Sequence, residues 1–215
     1  MVQKIFDMEI VYQDSMIVVV NKPGGLLSVP GRGPDKQDCV VSRLRQSFPM
    51  CIPQPSVHRL DMDTSGLMVL ALTTDSQQHL SRQFQNRTVK KRYLALLDGV
   101  IEKEEGEIQL PFRLDVANRP YQIHDPVHGK LGITLWQKES VENQQTRVRF
   151  TPITGRTHQL RVHASHPLGL GCPVVGDRLY GRGKPGDPLL LHASFLRFEH
   201  PESHEILSFE SLPLF

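Results

Sequence analysis

Cysteine is scarce in this sequence, and the few residues present are far apart. Cys39, Cys51 and Cys172 are odd in number and form no CxxC pair, so neither a disulfide framework nor a zinc knuckle is indicated. Cysteines used in this way are typical of a reducing compartment. We therefore expect the protein to be cytoplasmic.

Long apolar runs are also missing. No run approaches the length that spans a membrane, and residues 1–10 lack a basic region followed by a longer apolar one. We expect a soluble protein without a membrane partner or a cleaved leader. A chain of 215 residues with 39% hydrophobic residues can bury a real core, either in one sizeable domain or in two tightly joined small ones.

The motifs that usually hold a metal or a nucleotide cofactor are absent too. There is no HExxH, no Cys/His cluster, no phosphate-binding glycine loop and no Gly-x-Ser-x-Gly elbow. His158 and His163 are five positions apart, which places them on different faces of a helix or a strand. His58 and Asp61 could supply two ligands but lack an evident third. We expect neither a metal nor another cofactor.

The net charge of +2 is small, but the charges are unevenly distributed. Residues 76–93 carry five basic side chains and no acid, and residues 147–163 carry four arginines and no acid. Residues 98–107 hold five carboxylates against Lys103 alone. Such a chain can present a cationic face to nucleic acid, although ordinary solvated surfaces explain the charges equally well.

The periodicity of apolar residues predicts a mixed α/β chain. A capping box at Thr74–Gln77 predicts the start of a helix that carries Leu80 and Phe84 on one face. Thr157 is the predicted N-cap of a short helix over residues 158–165. A further helix is expected over residues 40–48, and strands are expected over residues 10–12, 16–20, 67–72, 89–97, 133–141, 147–152, 189–198 and 206–210.

The segment from Ser56 to Thr73 joins a charged loop to the most apolar of these strands. His58, Arg59, Asp61 and Asp63 lie within six residues, directly before it. A carboxylate in such a loop lies at the edge of the core, where it is held in place while a substrate still reaches it. From spacing alone, a turn or a surface ion pair is the commoner explanation.

A family resemblance favours a functional carboxylate over a turn or a surface ion pair. The segment HRLDMDTSGL resembles the catalytic motif of the RluA-type pseudouridine synthases. Other segments match that family in the same order: NKPGGLLSVPG from position 21, KKRYLALLDG from 90, GRTHQLRVH from 155 and GDRLYG from 176. The resemblance implies a mixed α/β (α+β) fold with a largely antiparallel central sheet, flanking helices and a central cleft. It implies one catalytic domain over residues 1–215, because the segment before Asn21 is too short for an N-terminal S4-like RNA-binding domain.

The resemblance also implies an activity and a partner. Members of the family isomerise uridine in RNA to pseudouridine without a cofactor, and short members act on both ribosomal and transfer RNA. We therefore expect a monomeric enzyme whose substrate is 23S ribosomal RNA, transfer RNA or both. The stretch ASHPLGLGCPVV, between His163 and Gly176, is longer than in many members, which leaves the target uridine open.

Residue roles follow from the same resemblance. Asp61 would be the nucleophile, Arg161 would pair with its carboxylate, and Tyr93 would pack against the target base. Arg59 would fill the gap left by the flipped uridine. The remaining candidates for substrate binding are His58, Thr64, Leu160, Arg82, Arg87 and Lys90, the last three as phosphate contacts.

Two other functions fit parts of the sequence. A glycosidase or nucleoside hydrolase could use Asp61 and Asp63, although acids two positions apart in one loop seldom flank a bond from both sides. A catalytically silent RNA-binding module would keep the basic segments but would not need Asp61.

Overall fold

A computed structural model of the protein describes residues 4–5 and 8–215. Its contacts divide the chain into two compact units. Unit 1 comprises Met1–Lys91 and His192–Leu214, and unit 2 comprises Arg92–Leu191 and Phe215. The expectation of a single catalytic domain over residues 1–215 stays a prediction.

The described chain contains helices, strands and one short 3₁₀ turn at Pro34–Lys36. In chain order they are β1 (Lys4–Ile5), β2 (Met8–Gln13), β3 (Ile17–Lys22), α1 (Val40–Ser47), β4 (Ser65–Ala71), α2 (Thr74–Gln85), β5 (Lys90–Leu97), β6 (Glu105–Leu114), β7 (Gln122–His124), β8 (Lys130–Glu142), β9 (Gln145–Pro152), α3 (Gln159–Ser165), β10 (Leu191–Glu199) and β11 (Ile206–Glu210).

The strands of unit 1 lie in the order β1-β2-β3-β4-β10-β11, and all neighbours are antiparallel except β4 and β10, which are parallel. Side chains of β4 alternate between two cores. Met68 and Leu70 pack in the cluster that contains Leu44 of α1, whereas Leu67 belongs to the cluster that contains Leu80 of α2. This strand is therefore buried on both faces.

The strands of unit 2 lie in the order β5-β9-β8-β6-β7 and are antiparallel throughout. All residues of α3 from Gln159 to Ala164 are buried, and its apolar side chains pack in one cluster with Phe112, Trp136 and Phe150. The mixed α/β class and the mostly antiparallel pairing are as predicted. Among the described residues, no helix has the length and apolar character needed to cross a membrane.

The two predicted helix N-terminal caps each need correction by one residue. The capping box of α2 joins Thr73 and Ser76 rather than Thr74 and Gln77, because Thr73 still has the extended backbone of the preceding segment (φ −120°, ψ 161°). The N-cap of α3 is His158, in the left-handed region with φ 57°, rather than Thr157. The side chain of Gln159 accepts the Arg156 N–H at 3.0 Å and so stabilises this turn in place of a threonine cap.

Two strands of unit 2 were not predicted. Strand β6 alternates at Ile108, Leu110 and Phe112, which are buried, but Pro111 counts against a strand in sequence because it cannot donate to the ladder. Strand β7 is too short to show a period.

The turn between β8 and β9 is tighter than expected. Only Asn143 and Gln144 lie between the strands, and both have positive φ, as in a type I′ hairpin.

Candidate active site

The loop that carries Asp61 lies at the entrance to β4. The carbonyl oxygen of Asp61 accepts the Thr64 N–H at 3.2 Å, which closes a turn immediately before the strand begins at Ser65. Asp61 is half-buried, whereas the side chain of the next residue, Met62, is exposed. The carboxylate of Asp61 is therefore carried by a loop that is fixed at its base and accessible at its tip.

The two residues next to Asp61, Leu60 and Met62, have backbone carbonyls that are held by buried side chains from the segment at residues 21–31. Ser28 Oγ donates to the Leu60 carbonyl at 2.7 Å and accepts the Leu60 N–H at 3.0 Å. Lys22 Nζ donates to the Met62 carbonyl at 2.8 Å. Neither role was predicted from the sequence, although both residues belong to the NKPGGLLSVPG motif.

Lys22 is fully buried. Burial lowers its pKa to about 7, while the charges of Asp63 and Asp61 act in the opposite direction and raise it. Lys22 Nζ donates to the carbonyl oxygens of Pro23, Leu26 and Met62, at 2.9, 2.7 and 2.8 Å. These three acceptors match the three N–H bonds of an ammonium group, whereas a neutral amine has only two. The geometry therefore describes the charged form of Lys22.

His58 supports β4 rather than standing free in the loop. Its Nε2 accepts the Val69 N–H at 3.0 Å, and its ring stacks on Phe84 with 4.5 Å between centroids. Burial, with a smaller effect of the Lys91 charge, lowers the pKa of His58 to about 3. The ring is therefore neutral near pH 7 with its proton on Nδ1. A contact between His58 and substrate stays a prediction.

The other predicted substrate contacts of unit 1 differ in exposure. Arg59 is exposed beside the Asp61 turn. Thr64 is only 2% exposed, and its buried hydroxyl is among the few described side-chain groups without a hydrogen-bond partner. Arg82, Arg87 and Lys90 are exposed. Whether these side chains bind RNA stays a prediction.

In unit 2, Arg161 is held by a carboxylate of the GDRLYG segment. Its Nε and Nη2 donate to the two carboxylate oxygens of Asp177 at 2.8 and 2.6 Å, and both side chains are almost completely buried. Burial raises the pKa of Asp177, but the hydrogen bonds and charge of Arg161 outweigh it and leave that pKa below its usual range. Asp177 is therefore ionised. Arg161 and Asp61 belong to different units, and their predicted pairing stays a prediction.

Tyr180, from the same segment, also supports this region. The guanidinium carbon of Arg161 lies 5.4 Å from the centroid of its ring. Its hydroxyl accepts the Gln122 N–H at 2.8 Å and is hydrogen-bonded to His158 Nδ1 at 2.8 Å. Asp177 and Tyr180 were not predicted as site residues, although their motif was recognised.

Tyr93 and Leu160 are the remaining predicted residues of unit 2. Tyr93 lies in β5, paired with Phe150 of β9, and is half-buried against the core. Leu160 belongs to that core and is 7% exposed. A contact of either side chain with substrate stays a prediction.

One described group of side chains has metal-ligating atoms within 4.8 Å of one another: His79, Glu199 and His204. The amide of Gln83 is fixed by two bonds to the Glu199 backbone, at 2.8 and 2.9 Å, and its NH₂ group points at His79 Nδ1 at 3.1 Å. Since Nδ1 then accepts a hydrogen bond, the neutral ring of His79 carries its proton on Nε2, the atom that faces Glu199. This arrangement favours a hydrogen-bonded cluster over a metal centre.

Comparison with known proteins places these motifs in a family. The family model for RNA pseudouridylate synthase matches residues 16–166. The dual-specificity RNA pseudouridine synthase RluA of Pasteurella multocida is 45% identical over 97% of this chain and 94% of its own length. The protein of the same name from Escherichia coli is 43% identical over 94% of this chain and 91% of its own. The solved structure of human RNA pseudouridylate synthase domain containing 1 has a TM-score of 0.77 and 30% identity, covering 98% of this chain and 85% of that one.

Proposed function

The chain belongs to the RNA pseudouridylate synthase family and is an RNA pseudouridine synthase, and from this premise we propose that Asp61 is its nucleophile. The observation that carries the proposal is the fixing of the residues on either side of Asp61: Ser28 holds the Leu60 carbonyl and Lys22 holds the Met62 carbonyl. A carboxylate held in this way can attack as an anion at neutral pH with neither metal nor redox cofactor.

The reaction breaks the bond between N1 of uracil and C1′ of ribose and forms a bond between C5 and C1′. The hydrogen on C5 leaves as a proton and N1 gains one, so no group is lost from the RNA. Asp61 attacks either C1′ or the pyrimidine ring, and holds one fragment while the base rotates. The same loop is held next to a cation, since the Lys22 ammonium interacts favourably with the charge of Asp61.

Three other residues receive roles from the family resemblance. We propose that Arg161, held rigidly by Asp177, pairs with the nucleophile, and that Tyr93 packs against the target base. Arg59 fills the gap that the flipped uridine leaves in the RNA, which its exposure beside the Asp61 turn supports.

The substrate is proposed from the names of the relatives. Those proteins are called dual-specificity synthases, and we propose that this enzyme likewise modifies more than one RNA, namely 23S ribosomal RNA and transfer RNA. We also propose that it acts as a monomer in the cytoplasm.

The nucleophile assignment is tested by comparing Asp61→Asn with Asp63→Asn. Both changes remove one negative charge from the same loop, so general electrostatic effects are matched. Pseudouridine is measured by nucleoside analysis of RNA from a strain that lacks the enzyme. We expect Asp61→Asn to form none while binding RNA normally, and Asp63→Asn to retain most activity. Equal activity of Asp61→Asn and wild type would contradict the assignment, and release of free uracil would favour a hydrolase.

A further inference from the structure

We propose that a groove in unit 1, next to the Asp61 loop, binds an unpaired nucleotide of the RNA substrate that neighbours the target uridine. The inference rests on the proposed role of Asp61. The groove has a volume of about 1020 Å³, ample for one nucleotide. Its lining includes Arg45, Gln46, Pro49, Gln54 and Arg59.

The charge of the groove favours a phosphate. Two arginines, Arg45 and Arg59, line it and no carboxylate does. Arg45 is exposed on α1, and the ion pairs among the described residues do not include it. Arg43, on the same helix, differs because it is bound through Nε and Nη2 to Asp38, both at 2.8 Å. The helix therefore offers the groove one uncompensated cation, Arg45, whereas Arg43 is outside its lining and is neutralised by Asp38.

The walls of the groove favour a base. Pro30, Pro49 and Pro53 are exposed and give an apolar surface against which a ring can lie. Gln46 and Gln54 add exposed amides, each with donors and acceptors for a base edge. Proteins read single-stranded RNA through such splayed-out bases, by packing their faces and hydrogen bonding their edges.

The position of the groove, next to the Asp61 loop, indicates that the substrate RNA occupies it. His58 and Arg59 belong to its lining, and Arg59 is two residues from Asp61 in the same loop. A strand that presents a uridine to Asp61 therefore carries an adjacent nucleotide toward the groove. Arg45, on α1, lies apart from that loop and is the natural phosphate contact.

The proposal is tested by the affinity of a fluorescein-labelled RNA hairpin whose unpaired loop contains a uridine that the enzyme isomerises. Arg45→Ala should weaken binding roughly 5- to 20-fold. The slope of log affinity against log salt concentration should fall by about one, since one phosphate contact is lost. Arg45→Lys, which keeps the charge, should recover most of the affinity. Arg43→Ala is the matched control and should bind like the wild type.

Occupancy by a base is tested with hairpins that carry an abasic nucleotide at each loop position in turn. For the wild type, we expect one position near the target to weaken binding. Gln46→Trp, which fills the groove from an exposed site, should bind the intact and abasic hairpins equally. If Arg45→Ala matches Arg43→Ala in affinity, or no abasic position matters, the groove proposal is wrong. Affinity is measured independently of turnover, so a failure to form pseudouridine would count against Asp61 rather than against the groove.

Discussion

Arg161 and Asp177 form a buried two-bond ion pair, with Nε to Oδ2 at 2.8 Å and Nη2 to Oδ1 at 2.6 Å. Oδ1 also accepts the backbone N–H groups of Leu179 and Tyr180. A pair in this geometry fixes the plane of the guanidinium as well as its position. The loop that follows α3 thus orients an arginine of the helix.

Asp177→Asn should therefore be strongly destabilising. It leaves the Arg161 charge buried without its counterion, for which a cost of about 3 kcal/mol in the free energy of unfolding is typical. Urea unfolding measures the loss. Asp125→Asn is the control, because Asp125 pairs with the more exposed Arg113 and should matter less. A stability equal to wild type would show that the Arg161–Asp177 pair does not hold this region.

Lys22→Met should lower stability more than it lowers activity. The substitution keeps an unbranched side chain that is one atom shorter, but it removes all three hydrogen bonds of Nζ and leaves the Met62 carbonyl without that donor. Ser28 still holds the Leu60 peptide, so Asp61 keeps one of its two supports. We expect a clearly lower melting temperature and a modest fall in kcat well below it. Lys36→Met, at an exposed lysine, should change neither.

His163 should make the folded protein less stable in mild acid. This side chain is fully buried, neither ring nitrogen has a hydrogen-bond partner, and burial lowers its pKa to about 4. Because the folded pKa lies below the unfolded value, the unfolded state takes up a proton first as the pH falls. The contribution of His163 is complete above about pH 6.5 and is lost toward pH 4, by roughly 3 kcal/mol in total.

Urea unfolding at several pH values isolates that contribution. Between pH 6 and pH 5, the stability of His163→Leu should fall less steeply than that of the wild type, by about 1 kcal/mol per pH unit. His128→Leu, at an exposed histidine, is the control. Parallel pH profiles for wild type and His163→Leu would show that His163 is protonated equally in both states.

Charge reversal at Arg82, Arg87 or Lys90 should weaken RNA binding to a similar degree for RNAs of different sequence. Contacts with phosphate do not depend on which bases the RNA carries. Each lost contact should reduce the slope of log affinity against log salt concentration by about one. Lys103→Glu, in the acidic segment of unit 2, is the control. Unchanged affinity in folded variants would identify the segment at residues 82–90 as solvated surface only.

The Asp61 loop and its strand were predictable because both signals are local. Leu67 to Leu72 form a continuous apolar run, and the charged residues directly precede it. The supports of Asp61 were not predictable, because Ser28 and Lys22 lie 32 and 40 positions from their partners, Leu60 and Met62. Those contacts exist only after β3 has paired with β4.

The same limit applies in unit 2. The role of Arg161 was inferred by resemblance, but its partner Asp177 lies 16 positions away, beyond the end of α3. The burial of Lys22 likewise could not be predicted from the sequence, because lysine side chains are almost always exposed. Local patterns thus indicated the loop and its strand, the resemblance supplied the role of Asp61, which stays a prediction, and only the tertiary structure identified the side chains that hold the loop.

The most direct test of the proposed function follows the hydrogen on C5 of uridine. Isomerisation makes C5 the glycosidic carbon, so RNA labelled with tritium at C5 must release one tritium to water for each pseudouridine formed. With enzyme in excess, the wild type should release tritium in a single exponential while Asp61→Asn, bound to the same RNA, releases none. Tritium release by Asp61→Asn at the wild-type rate would contradict the assignment of Asp61 as the nucleophile.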